Sequence, residues 1–207
     1  MSVEATPAPE APGLRERTRR AVRTELTDVA MDLFMRQGYE STTVDEIATA
    51  AGISRRSLFR YFASKEAIIF DNLEDVGEQL VVALAERPAD EDPWTALRRS
   101  FDLITAFNER NPERTLAFHE MLQGTAVLKA RYYEKQMRWR ELLVPDIEVR
   151  LGAVRGNDVH DPCAMAFVGA ALACLDAANN AWRLAQGKVD VVRLLDNAMR
   201  AVRLADF

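Results

Sequence analysis

A chain of 207 residues, 48% apolar and 29% charged, has the composition of an ordinary soluble globular protein, long enough for one large domain or two small ones. Its formal net charge of −5 weighs against a uniformly basic nucleic-acid coat, and its two cysteines exclude a disulfide-rich scaffold. The charge is nevertheless uneven: residues 14–66 hold ten Arg/Lys against eight Asp/Glu, whereas residues 67–207 hold 17 against 22.

The opening stretch MSVEATPAPEAPG has three prolines and no periodic apolar pattern, so a disordered tail is expected over 1–13. It lacks the basic start and apolar core of a signal peptide. From residue 14 onward helical periodicity recurs almost throughout, with no sustained period-two alternation, and the fold class is all-α. Val22, Leu26, Val29, Ala30, Leu33 and Phe34 lie at spacings of three and four in a first helix that Gly38 closes. Thr43 and Glu46 stand in the S/T-x-x-E arrangement, where hydroxyl and carboxylate reciprocally satisfy orphan amides at a helix start. That short helix ends before Gly52. Ser54 is placed to cap another from Arg55 to about Tyr61, and Ser64 to cap a longer one reaching about Arg87.

The linker RPADEDP, Arg87 to Pro93, separates a unit over 14–87 from a larger one over 88–207. Further helices are expected at 94–110, 112–123, 125–143, 162–186 and 189–204. Asn111-Pro112, Gly124, LVPD at 143–146, GAVRGNDVHDP at 152–162 and Gly187 supply the breaks, and the connection over 144–161 stays open. The longest charge-free stretch in the second half, Pro162 to Leu175, is expected to be too short to span a bilayer, so the protein is placed in the cytoplasm. Cys163 and Cys174, about 16 Å apart along one helix, are beyond disulfide reach and read as buried small hydrophobes. His119 and His160 have no Cys or His at ligand spacing, so no metal site and no cofactor is expected.

The stretch GISRRSLFRYFASKE, residues 52–66, packs five Arg/Lys/Glu charges around three aromatic rings. If two short helices cross at a tight turn here, Ile47, Ala51, Ile53, Leu58 and Tyr61 face inward. Ala48 is small where the helices touch, and Gly52 provides a permissive backbone. Committing Ile53 and Leu58 to the core pushes Arg55, Arg56, Ser57, Phe59 and Arg60 outward. Arginine pairs bidentately with guanine, and serine adapts to bases or phosphate. Lys65 in a first helical turn is disfavoured by the helix dipole, and a phosphate would account for it. For Phe59 and Tyr61, plain core packing is an equal alternative.

TTVDEIATAAGISRRSLFRYFASKE resembles the DNA-binding motif of the TetR family of transcriptional regulators, in a stretch from about Arg17 to Leu80. The resemblance implies a helix-turn-helix over 43–62 within a DNA-binding domain over 14–87 that includes a connecting helix. It implies that Thr43 touches the DNA backbone, that Ser54 to Arg60 form the recognition helix, and that Lys65 clamps a phosphate. Phe59 departs from the tyrosine common at its position; Tyr61, often histidine in the family, would offer its hydroxyl to the backbone. The same resemblance implies an effector-binding and dimerisation domain over 88–207, a homodimer reading a palindromic operator, and repression relieved by a small molecule.

A self-pairing surface is expected on the last two helices, from Ala170, Cys174, Ala178 and Trp182 with Val191, Leu194, Leu195, Ala198 and Met199. A pocket for a largely apolar effector is expected from Phe101, Ile104, Phe107, Phe118, Met121, Leu122, Met137, Phe167 and Leu172, although such stripes are more often plain core. His119, Asn179 and Asn180 are polar groups in apolar surroundings, each requiring a partner that is either another side chain or the effector, so His119 and Asn179 join the expected ligand-binding residues. Two rival classes stand beside this reading. An all-α enzyme lacks any recognisable pairing of nucleophile and base, and a non-specific architectural binder fits poorly with an acidic total.

Overall fold

The computed structural model describes residues 13–152 and 161–203, with the side chains of Asn72 and Glu74 left aside. Of the expected tail over 1–13 all but Gly13, together with His160, lies outside the described residues. Among these, the chain is all-helical: α1 (Leu14–Gln37), α2 (Val44–Ala50), α3 (Arg55–Phe59), α4 (Lys65–Ala85), α5 (Pro93–Ser100), α6 (Asp102–Arg110), α7 (Pro112–Gly124), α8 (Ala126–Arg150), α9 (Pro162–Leu184) and α10 (Val191–Arg203). Two compact units divide between Ile68 and Ile69, so α4 starts in the first and continues in the second.

In the first unit Leu26, Ala30, Met31 and Phe34 of α1 are buried, as are Ile47, Ala48, Leu58 and Phe62. Phe34 meets Tyr39 at a tilt of 60° with ring centroids 5.3 Å apart, and the Tyr39 hydroxyl donates to Glu66 Oε1 at 2.6 Å. Burying each large side chain stabilises by about 1.5 to 3 kcal/mol, which is how helices as short as α2 and α3 persist.

In the second unit α5, α8, α9 and α10 enclose a core of Leu80, Leu84, Leu97, Phe101, Leu143, Ile147, Leu175 and Leu195, all essentially inaccessible. Trp94 Nε1 donates to Met199 O at 3.1 Å, tying α5 to α10. The helix expected over 94–110 is broken at Phe101. The Ser100 hydroxyl donates to Leu97 O at 2.7 Å, leaving the Phe101 amide a longer 3.3 Å bond to that carbonyl. A serine back-bonding in this way bends or interrupts a helix.

The break expected at LVPD is not there, because α8 runs through Pro145. Proline removes one ladder bond, but Leu143, Val144 and Ile147 around it are buried, and that burial offsets the loss. The continuation delivers Arg150, whose side chain is 6% exposed, to the end of α4. Its Nη1 donates to Pro88 O at 2.7 Å, and its Nη2 to Leu84 O at 2.9 Å and Arg87 O at 3.2 Å, while its Nε donates to Asp146. These carbonyls lie at and just beyond the end of α4, and those of Leu84 and Pro88 also accept from Arg87 N and Glu91 N, both at 3.1 Å, so the guanidinium is a second donor to them.

By length and composition α9, with 23 residues, could cross a membrane, contrary to the expectation drawn from its shorter charge-free run. Ala164, Val168, Ala171, Leu172, Cys174, Leu175, Ala178 and Trp182 on it are instead buried against the other helices of the unit. Cys163, expected inside, is exposed at the start of α9, where the sharp entry from Asp161 turns it outward; Cys174 is buried, and both are free thiols.

Candidate nucleic-acid interface

Thr43 caps α2 in a complete capping box. Glu46 N donates to Thr43 Oγ1 at 3.2 Å, and Thr43 N and Oγ1 donate to Glu46 Oε2 at 2.7 and 2.9 Å. The hydrogen bonds from Thr43 hold the Glu46 carboxyl below its usual range. The turn that follows needs a left-handed residue, and Gly52 supplies it with φ 67°. Ile53 N then donates to Ala48 O at 2.9 Å, drawing α3 back across α2. Ile47 and Leu58 are buried while Ala51, Ile53 and Tyr61 are half-buried, so the inward face agrees with the pattern in the sequence.

Ser54 caps α3, accepting from Ser57 N at 3.1 Å. The helix stops at Phe59 rather than Tyr61, since the Tyr61 amide bonds three residues back to Leu58 O at 2.9 Å. Ser54, Arg55, Arg56, Phe59 and Arg60 are exposed and Ser57 is half-buried, which brings the expected reading residues onto one outward surface. Phe59 is 42% exposed and does not pack in the core. It lies 5.5 Å from the Arg55 guanidinium, which also pairs with Asp45 Oδ2 at 3.0 Å. An ion pair so open to water is worth little and yields readily to a phosphate. Arg56 and Arg60 extend the exposed positive charge along the same short helix.

Lys65 is placed differently from a solvated lysine. Its Nζ donates to Tyr39 O at 2.8 Å and Thr42 O at 3.0 Å, 4.0 Å from the Tyr39 ring centroid. It thus fastens the loop between α1 and α2, a local reason for a lysine in the first turn of α4 that the sequence did not disclose. Lys65→Met, which keeps the stem and removes the ammonium, is expected to cost the first unit about 1.5 to 3 kcal/mol, read by urea denaturation. A change below a few tenths would show that the two carbonyls do not depend on it. Arg23 is a second contact outside the motif: its Nη1 donates to Tyr61 O at 2.9 Å and its guanidinium sits 4.9 Å from the Phe62 ring.

In the second unit the residues expected to line a pocket separate. Phe101 and Leu172 are core, Leu122 is buried, and Ile104 and Phe167 pack against the core, Phe167 edge-on to Trp94 at 5.8 Å. Phe107 and Met137 are 46% and 60% exposed, because each falls on the outward side of its helix, and so they line no interior. Met121 is half-buried. Phe118 meets His119, Phe70 and Tyr132 at 5.3, 6.1 and 6.2 Å, forming an aromatic cluster that α7 and α8 share with α4. Burial and then the nearby Arg183 push the His119 imidazole down to about 4, against a smaller opposing pull from Glu120. Burial also raises the Asp176 carboxyl, with Lys129 opposing. Asn179 is buried, with Asn108 Nδ2 donating to its Oδ1 at 2.9 Å; Asn180 is exposed and accepts from Arg183.

The expected pairing surface needs correction. Cys174, Ala178, Trp182, Val191, Leu195 and Met199 are at most 4% exposed within a single chain, because they form the side of α9 and α10 that packs inward. Ala170, Leu194 and Ala198 are half-buried. The outward side of α9 instead carries Ala166, Ala173, Ala177 and Leu184.

Residues 26–71 match the family model described as bacterial regulatory proteins, tetR family. The chain is 43% identical over 157 residues to the HTH-type transcriptional regulator TcmR of Streptomyces glaucescens, covering 72% of this chain and 69% of that protein. Its fold resembles that of Thermus thermophilus FadR, a TetR-family transcriptional repressor solved with lauroyl-CoA, at TM-score 0.59 and 24% identity over 89% of this chain and 95% of that one. It also resembles the fatty acid degradation regulator FadR of Bacillus halodurans, at TM-score 0.66 and 15% identity over 95% and 98% of the two chains.

Proposed function

Because the chain belongs to the TetR family of bacterial regulatory proteins, and is a DNA-binding transcriptional regulator rather than an enzyme, we propose that it is a repressor of the operator-and-effector kind. In this reading a homodimer grips a palindromic operator and a small molecule releases it. The observation that carries the DNA-contacting half is the surface of α3: Arg55, Arg56, Phe59 and Arg60 exposed together on a helix held rigidly by Gly52 and Leu58. A helix so presented would enter a major groove, Arg56 and Arg60 reaching base edges, Ser54, Ser57, Thr43 and Tyr61 serving the sugar-phosphate backbone, and Phe59 meeting a thymine methyl or a sugar. Lys65 would offer its remaining N–H to a phosphate while holding its loop.

A five-residue helix contacts only a few base pairs, which favours two copies reading two half-sites. The outward side of α9 supports such a pairing, since Ala166, Ala173 and Ala177 allow two helices to approach closely. The aromatic cluster around Phe118, with His119 and Asp176 nearby, supports a largely apolar effector bearing a polar group. Release then follows if the effector binds better to a conformation whose recognition helices are wrongly spaced for the operator.

The test is selection of bound genomic fragments by the purified protein, followed by affinity measurements on the recovered site. Arg56→Ala is expected to weaken that site by about 1 to 3 kcal/mol and to relax the choice at particular base pairs. Unchanged affinity and unchanged base preference would remove Arg56 from the reading surface.

A further inference from the structure

We propose that the first two turns of α1, ahead of the part that packs, form a second DNA contact that grips backbone phosphates beside the recognition helix. This rests on α3 lying in a groove, as above. Residues 14–21 are all exposed, and the inward side of α1 begins only with Val22 and Arg23. This overhang carries Arg15, Arg17, Arg19 and Arg20 against one acid, Glu16. Positive charge in the first turns opposes the helix dipole, so helix stability does not select it.

The overhang has a defined place because Arg23 is fixed to the far end of the α3 segment, through Tyr61 O and the face of Phe62. The overhang of α1 therefore starts beside the C-terminal end of the reading surface. At 3.6 residues per turn, Arg19 lies about 40° and Arg15 about 80° round the helix from Arg23, while Arg17 lies about 120° away on the opposite flank. Arg15 is about 12 Å further along the axis than Arg23, a length over which one DNA strand presents about three phosphates. Arg20 lies about 60° from Arg23 on the flank of Arg17, and Glu16 about 20° away on that same flank, so the acid offsets that side and the grip falls on Arg15 and Arg19. The occupant is duplex DNA continuous with the half-site, by charge complementarity and by adjacency to α3.

The test uses the full chain and its recovered operator, carried on a duplex with flanking base pairs. Arg15→Gln with Arg19→Gln keeps good helix formers in place, and Arg17→Gln removes one charge from another side. The double variant is expected to lower the slope of log affinity against log salt by about 2 for each protomer on the operator, and the control to leave it nearly unchanged. Trimming the flanks should abolish the difference between wild type and double variant. An unchanged slope in the double variant, with wild type still preferring its operator to random DNA, overturns the second contact and leaves the α3 reading standing. An equal loss per charge in the control overturns it too, since the overhang would then act as diffuse charge. Wild type that does not distinguish its operator from random DNA overturns the groove reading and this inference together.

Discussion

Arg150→Ala is expected to destabilise the second unit by about 1.5 to 3 kcal/mol, the loss of charge-assisted hydrogen bonds from a guanidinium whose side chain is 6% exposed. The guanidinium occupies three carbonyls at the end of α4 and the Asp146 carboxylate at once. Removing it takes the second donor from Leu84 O and Pro88 O, which keep Arg87 N and Glu91 N, and takes the Arg150 partner from the half-buried Asp146 carboxylate. Arg150→Lys should recover less than half of the loss, because a single ammonium cannot span carbonyls from Leu84 to Pro88 in the way a planar fork does. Urea denaturation of both variants decides the matter: a loss below about 1 kcal/mol would mean that water satisfies this helix end.

The second large effect is on pH dependence. His119 is held at about 4 in the folded chain against an ordinary value of 6.5, so between these limits the unfolded chain binds more protons. A depressed folded value gives stability that is complete above pH 6.5 and is lost as pH falls through 4. The accumulated loss is on the order of 3 kcal/mol at 1.36 kcal/mol per unit. Asp176, raised by burial, acts in the opposite sense, so the effect is read as a difference between proteins. The stability of wild type relative to His119→Gln should fall as the pH is lowered from 7.5 toward 4.5. Parallel curves would show that the imidazole protonates as easily in the folded chain as in the unfolded one.

The helix-turn-helix was legible because its determinants are short-range. A capping box spans four residues, the left-handed turn asks for glycine, and the positions of Ile47 and Leu58 fix which side of each short helix is covered. What the sequence hid depends on distant partners or on weak contrast. Lys65 read as a phosphate ligand because the carbonyls of Tyr39 and Thr42 lie more than twenty residues away in sequence. Pro145 read as a break because the burial of its neighbours is a tertiary effect, and Phe101 read as mid-helix because the competition that interrupts it comes from a serine hydroxyl. The inward and outward sides of α9 were exchanged for a different reason: alanine and glycine occur on both, so composition around the helix carries almost no direction.

The buried amide pair Asn108–Asn179 resolves that last ambiguity in the folded protein. A helix surfaced mainly with methyl groups fits its neighbours nearly as well after sliding one turn or rotating one ridge, and hydrophobic burial alone hardly separates such alternatives. Asn179 does separate them, since any shifted register would bury two amides without partners, at about 1 to 3 kcal/mol for each group. The pair adds little net energy to the observed packing but removes its competitors, and so gives α9 a single setting from which an outward face can be defined at all.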